Sequence, residues 1–450
     1  MRYVIIGGDA AGMSASSRIK RREPDSEVIV FEKTQDVSYS ACGMPYNIAD
    51  ADKSIDSLIV RSAEAFRNSQ GIDLRTGHIV RKIDHAAGKV SGTNSVGDDF
   101  EIEYDRLLIA TGASAIIPKV PGTDLEGVFV LKTLEDSRRI KTFLEKKDVR
   151  KAVIIGMGYI ALEMSEALSA RGLDVTMIKK REQLLPWMLP ELSEVVKKEL
   201  TEKGVSLNSG LSLEGIVKTE GGLRVNAGGK IFDADLVLIA VGVKPESSLA
   251  AEAGIELGAS GAVSIDRNMQ TSVSGIYSAG DCADTLSIVS GGKIWLPLAL
   301  TANRGGRLAA DNMMGERQDF NGIAGTAVFK VFDIEVAKTG LTISEAEVAG
   351  FNPVYKTVVA KSKAHIFEGA APIHASFIAD RDTGRILGAQ MVGTEGVARR
   401  INAAAVALQA KMTISEFYEC DLAYAPPFSP VWDPLLTAAS MLMKKTGVPD

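Results

Sequence analysis

The chain has 450 residues, with 51 Lys and Arg against 57 Asp and Glu, a formal net charge of −6. Nucleic acid and anionic membranes demand excess positive charge, so neither is expected as a partner. Three cysteines, at 42, 282 and 420, cannot staple a chain this long, which excludes a disulfide scaffold and leaves a cytoplasmic, thiol-poor protein of two or three domains as the expectation.

The first apolar run, Tyr3 to Ile6, is too short for a signal segment and predicts a strand. Gly7-Gly8-Asp9-Ala10-Ala11-Gly12 follows, then a helix through about Arg22 and a second strand ending at Glu32. This is a βαβ unit with the continuous apolar runs of buried parallel strands. Glycine in such a turn lets the backbone approach a pyrophosphate, and the helix N-terminus supplies N–H donors. Glu32 lies 20 residues after Gly12, where an acid can hold a ribose diol. One feature departs from the pattern: Asp9 takes the slot of the second glycine.

Cys42 comes next, within Val37-Ser38-Tyr39-Ser40-Ala41-Cys42-Gly43-Met44-Pro45-Tyr46. A short helix starting here would favour its thiolate through the helix dipole. Free cysteines are most often small buried hydrophobes, yet the polar, aromatic and glycine neighbours read as the lining of a site. A late strand, Arg106 to Ile109, ends in Ala110-Thr111-Gly112.

The same unit recurs from Lys151. A strand over Ala152–Ile155 leads to Gly156-Met157-Gly158-Tyr159-Ile160-Ala161, a helix to Arg171 and a strand over Asp174–Ile178. That strand ends in Lys179-Lys180-Arg181 rather than an acid. Cations there suit a 2′-phosphate, so NADPH is favoured over NADH, with a merely solvated basic loop as the alternative. The late strand Leu236–Ile239 runs into Ala240-Val241-Gly242. After Ile276 to Asp281 the chain resumes the first unit, so the second is an insertion. From about Gly325 short alternating strands, a helix over 396–410 and a Pro-rich tail indicate an α+β third domain.

Two dinucleotide sites, one interrupting the other, imply two cofactors. A flavin belongs in the first, whose ribose site is acidic, and a nicotinamide in the second. Cys282 and Cys420 read as packing, and Asp281 as a flavin-ribityl ligand in a strand-to-helix turn. With no C-x-x-C and no ligand spacing among His78, His85, His365 and His374, no metal site is expected.

On Gly7 to Gly12, Ala110-Thr111-Gly112, Gly156 to Glu163 and Ser278-Ala279-Gly280-Asp281, the chain resembles the pyridine nucleotide-disulfide oxidoreductases along essentially its whole length. Within them, Ser40 to Tyr46 with one cysteine resembles the coenzyme A-disulfide reductase, NADH oxidase/peroxidase and persulfide reductase branch. The resemblance implies a discontinuous FAD domain over 1–118 and 238–324, an NAD(P) domain over 119–237 and a dimerisation domain over 325–450. It implies FAD and NADPH or NADH as cofactors, and a coenzyme A-type thiol, disulfide or persulfide as substrate. Cofactor contacts are expected at Gly7, Gly8, Ala11, Gly12, Glu32, Lys33, Ser40, Ala110, Thr111, Gly112, Gly280, Asp281, Ala299 and Thr301 for the flavin. For the nicotinamide they are expected at Gly156, Gly158, Tyr159, Ile160, Glu163, Lys179, Lys180, Arg181, Val241 and Gly242.

The tail Asp421 to Ser429 resembles that of the coenzyme A-disulfide and persulfide reductases, which implies a homodimer with Tyr424 at the other subunit's active site. Arg18, Arg22, Ser38 and Tyr39 are implied as substrate contacts, the arginines through nucleotide phosphates; a solvated basic face explains the arginines equally well. Ile366 and Phe367 stand where relatives often carry two tyrosines. The implied reaction passes hydride from NADPH to the flavin, which reduces a disulfide or persulfide formed on Cys42, with Tyr424 protonating the leaving thiolate. The rivals are an oxidase or peroxidase with a Cys42 sulfenic acid, and a flavoprotein that feeds a small electron carrier.

Overall fold

A computed structural model describes residues 1–446; the last four residues of the expected third domain lie outside the described residues. The chain begins with β1 (Arg2–Ile6), α1 (Ala10–Arg22) and β2 (Glu27–Glu32). After a 3-10 turn at Ala41–Gly43 come α2 (Met44–Ala49), β3 (Asp73–Thr76), β4 (Arg106–Ile109) and β5 (Ala113–Ala115). The insertion contributes β6 (Val128–Phe129), α3 (Leu134–Lys146), β7 (Lys151–Ile155), α4 (Tyr159–Ala170), β8 (Asp174–Ile178), β9 (Ser206–Asn208) and β10 (Leu236–Ile239). The chain returns through β11 (Val243–Pro245), β12 (Ile276–Ser278) and α5 (Ala299–Met313).

β12 is the element that proves the return. It pairs in parallel with β4, giving a first sheet of order β12-β4-β1-β2-β3. The second sheet, also parallel, has the order β9-β8-β7-β10-β6. Both are buried on two faces, which is why Val4, Ile5, Ile154 and Leu238 sit in unbroken apolar runs. The expected boundary at 237/238 falls inside β10, all of which pairs with β7. The crossing comes a few residues later, where β11 pairs with β5. There the Thr111 hydroxyl donates to the Glu246 carbonyl at 2.5 Å. Residues 78–103 and 213–234 each form a small antiparallel sheet.

The last part is an antiparallel sheet of β13 (Ala327–Val331), β14 (Ile334–Gly340), β15 (Pro353–Lys361), β16 (Pro372–Asp380) and β17 (Ile386–Gly393), in the order β13-β14-β17-β16-β15. Helices α6 (Val397–Gln409) and α7 (Pro434–Met443) complete the α+β layer. No helix follows the Gly280–Cys282 turn as expected; short strands intervene and α5 begins only at Ala299. Among the described residues no helix is long and apolar enough to cross a membrane.

Candidate active site

The two phosphate turns are built alike. Gly7 has φ +115°, and a Cβ there would stand 2.0 Å from the Ala110 carbonyl oxygen. Gly156 has φ +122°, and its Cβ would stand 2.2 Å from the Ala240 carbonyl oxygen. In each case the turn after the first strand lies against the end of the late strand, and only glycine fits. Gly158 and Asp9 are the N-cap residues of α4 and α1. A Cβ on Gly158 would meet nothing within 4 Å, so the second turn is open in front of its helix.

At the first turn, the Glu32 carboxylate accepts from the Gly8 N–H at 2.8 Å and from the Thr34 N–H at 2.8 Å. Asp9 makes no capping hydrogen bond. Burial pushes its carboxyl up to about 6; Lys132 pulls it down, while Glu32 and Asp281 push it further up. Lys33 and Ser40 are exposed; Gly280, with φ +88°, would bring a Cβ to 3.0 Å from that of Ala11, and Thr301 lies in the first turn of α5.

Lys132 was not expected from the sequence. It lies next to a capping box in which Asp136 accepts from the backbone N–H groups of Lys132 and Thr133. That box fixes where α3 starts, and Lys132 Nζ then reaches Asp281 at 3.2 Å. The partners are 149 positions apart, so only the return of the chain brings them together.

Cys42 lies in the 3-10 turn that runs directly into α2. The residue is exposed, while Cys282 is fully buried and Cys420 intermediate. The expected lowering of the Cys42 pKa is not what its surroundings produce. Although the residue shows surface to solvent, the protein packed around its sulfur desolvates it, and this and the Glu163 carboxylate push the thiol up; Lys132 pulls it down, and Asp281 and Asp9 oppose Lys132. Cys42, Asp9, Lys132, Glu163 and Asp281 are thus near enough to act on one another's charge. Glu163, in the second turn of α4, accepts from the Tyr46 hydroxyl at 2.9 Å. Burial raises the Glu163 carboxyl, against the effect of that hydrogen bond.

Two models of protein families match the chain. One, described as pyridine nucleotide-disulphide oxidoreductase, matches residues 1–306; the other, its dimerisation domain, matches residues 326–435. The chain belongs to the pyridine nucleotide-disulphide oxidoreductase family. An NAD(P)H coenzyme A polysulfide/persulfide reductase of Pyrococcus horikoshii is 39% identical, covering 98% of each chain. A Methanocaldococcus jannaschii protein named NADH oxidase is 36% identical over 99% of each. The solved NAD-dependent persulfide reductase of A. fulgidus superposes with a TM-score of 0.95 at 38% identity, over 99% of this chain and 83% of that one. As a member of this family the chain is an oxidoreductase that works with FAD and a nicotinamide, and its last part is the family's dimerisation domain.

Other expected residues of this oxidoreductase follow β8, open α4 or follow β10. Lys180 and Arg181 are exposed at the end of β8 and make no ion pair among the described residues, while the Lys179 amine donates to the Gln183 carbonyl within the loop. Tyr159 turns its ring onto Phe329 and Trp187, with centroids 4.8 and 5.7 Å apart, and Ile160 packs against the same core. Val241 and Gly242 follow β10, Val241 being exposed.

Ser38 adopts a positive φ of 48° and its N–H donates to the Gly8 carbonyl; Tyr39 is half-buried, and burial raises its hydroxyl well above the ordinary range. Arg18 and Arg22 both donate to Asp311, at 2.8 and 3.0 Å, and Arg22 also pairs with Glu316. Asp311 is 4% exposed, so the basic run has a structural partner on α5. Tyr424 is 50% exposed and makes no hydrogen bond among the described residues. Its tail is tied to the Ile366–Phe367 loop through the Ala364 N–H, which donates to the Pro426 carbonyl at 3.0 Å.

Proposed function

We propose that this chain reduces a disulfide or persulfide of a small thiol such as coenzyme A with NAD(P)H, through Cys42. The observation that carries the reading is a single exposed thiol that feels the charges of Asp9, Lys132 and Asp281 as well as that of Glu163 on α4. The residues present fit a dinucleotide flavin. The turn from Gly7 to Gly12 excludes a Cβ at Gly7, Glu32 ends β2, and Lys132 and Asp281 face the same space. Those residues and Gly280 would hold FAD. When bound, FAD accepts the hydride of NAD(P)H and returns two electrons to sulfur.

The chain's own part is binding and proton control. The Cys42 thiolate attacks a sulfur of the substrate: a disulfide gives a mixed disulfide on Cys42, the outer sulfur of a persulfide gives a Cys42 persulfide, and either releases one thiolate. Two electrons cleave that bond and restore Cys42. With a disulfide the balance is NAD(P)H, one proton and RSSR in, NAD(P)+ and two RSH out. With a persulfide one product is hydrogen sulfide. Lys132 is the cation that favours the thiolate; Glu163, held by Tyr46, faces the nicotinamide side from the start of α4. Tyr424, supplied by the second subunit, gives the leaving thiolate its proton. Lys180 and Arg181 bind the 2′-phosphate of NADPH. Arg18 and Arg22 keep a second role at nucleotide phosphates of the substrate.

The test is an anaerobic panel of acceptors on wild type, Cys42→Ser and the Arg18→Ala/Arg22→Ala pair: coenzyme A disulfide, coenzyme A persulfide, peroxide and oxygen. Cys42→Ser should lose about a thousandfold or more with disulfide and persulfide. Unchanged kinetics of the arginine pair would remove their substrate role. Turnover with peroxide or oxygen alone would select the oxidase reading, which the M. jannaschii relative's name supports.

A further inference from the structure

Lys141 lies on α3 and is only 5% exposed. An ammonium taken out of water is costly unless its protons are met. Its Nζ donates to the Asp50 carbonyl at 2.7 Å, to the Asn47 carbonyl and Oδ1 at 3.3 Å each, and to the Lys53 carbonyl. No carboxylate takes part in this set. All the acceptors lie at the carboxyl end of α2 or in the turn just after it.

Arg171, which ends α4, reaches the same place and donates to the Ile48 carbonyl at 3.2 Å. The last carbonyls of a helix have no partner within it, and a cation there also suits the helix dipole. Tyr46 makes a third attachment, to Glu163 of α4. Helix α2 is six residues long, and a helix that short does not hold itself together. Its carboxyl end is therefore fixed by two cations that belong to the inserted domain, while Cys42 lies in the turn at its other end.

We infer that Lys141 and Arg171 are positioning residues for Cys42: they clamp the carboxyl end of α2 to the inserted nucleotide domain and so hold the thiol in place. The inference rests on Cys42 being the redox thiol. Neither side chain touches the sulfur, and both act through α2.

The reduced holoenzyme is compared as wild type, Lys141→Met, Lys141→Arg, Arg171→Met and Cys42→Ser. Iodoacetamide modification at Cys42 is followed by peptide mass spectrometry. NAD(P)H turnover is measured with coenzyme A disulfide and with ferricyanide, which takes electrons one at a time without a thiol. In Lys141→Met, Cys42 should be alkylated roughly fivefold faster as the turn loosens. Disulfide turnover should fall about tenfold while ferricyanide turnover stays within about twofold, because the misplaced group is the thiol. Lys141→Arg, which keeps the charge and the donors, should recover most of the loss. Arg171→Met, at a less buried site, should move both readouts the same way and serves if Lys141→Met does not fold. Alkylation at the wild-type rate in every folded Met variant overturns the positioning role, whatever the melting temperatures. Full disulfide turnover by Cys42→Ser would instead refute the proposed function, and the alkylation rates would still decide the role of Lys141 and Arg171.

Discussion

Asp9 carries a carboxyl into the place where the second turn has an open glycine. Its folded pKa of about 6 lies above the ordinary 3.8, because burial and the carboxylates of Glu32 and Asp281 outweigh Lys132. The native state therefore takes up this proton at higher pH than the unfolded chain. The destabilising contribution is full above pH 6, shrinks as the pH falls from 6 towards 3.8, and is gone below. In the flavin-free protein Asp9→Asn should raise stability by about 3 kcal/mol at neutral pH or above. Urea melts at neutral pH and at about pH 4 check this, since the gain should vanish in acid. Cys42, Glu32 and Asp281 stand out in the sequence as candidates because each lies at a strand end or next to a glycine turn. Lys132 does not. Its chemistry comes from a partner 149 positions away, and no local pattern marks it.

At the scale of elements, the repeated strand-turn-helix was plain because two independent periods coincide with the glycines. The helix limits came out within a residue or two, at Arg22 and Ala170. What α5 does was not legible. It lies against α1 through glycine: a Cβ on Gly306 would stand 2.2 Å from the Ala11 carbonyl oxygen. Gly306→Ala should cost about 3 kcal/mol or prevent folding, read from the urea midpoint, since the obstacle is backbone and cannot step aside. The loop after β8 makes a separate prediction. Removing the exposed charges in Lys180→Ala/Arg181→Ala should raise KM for NADPH about tenfold and leave that for NADH nearly unchanged. A wild type that prefers NADH would show that this loop is only a solvated basic face.

Over the whole molecule, the tail and the neighbouring loop present exposed apolar groups, among them Phe428, Trp432 and Ile366. Exposed apolar surface of this kind, in a domain that matches a dimerisation model, is where a second copy belongs. If Tyr424 acts across that interface, two defective subunits can complement each other. A heterodimer of Cys42→Ser with Tyr424→Phe has one site that contains both groups, and should show about half the wild-type turnover. Action within one subunit would leave it at about half the turnover of the Tyr424→Phe homodimer, because only one of its sites keeps Cys42. The sequence by itself determined the fold class, the two phosphate turns, the insertion and the lone candidate thiol, because each is written in local period, turn chemistry or a count. Tertiary structure alone decided where the insertion ends, since β10 pairs with β7 before β11 crosses back. It alone gave Arg18 and Arg22 a buried partner in Asp311 and paired Lys132 with Asp281. It also reversed the expected shift of Cys42: the helix dipole is a local effect, whereas burial and the carboxylates of Glu163, Asp281 and Asp9 come from distant parts of the chain.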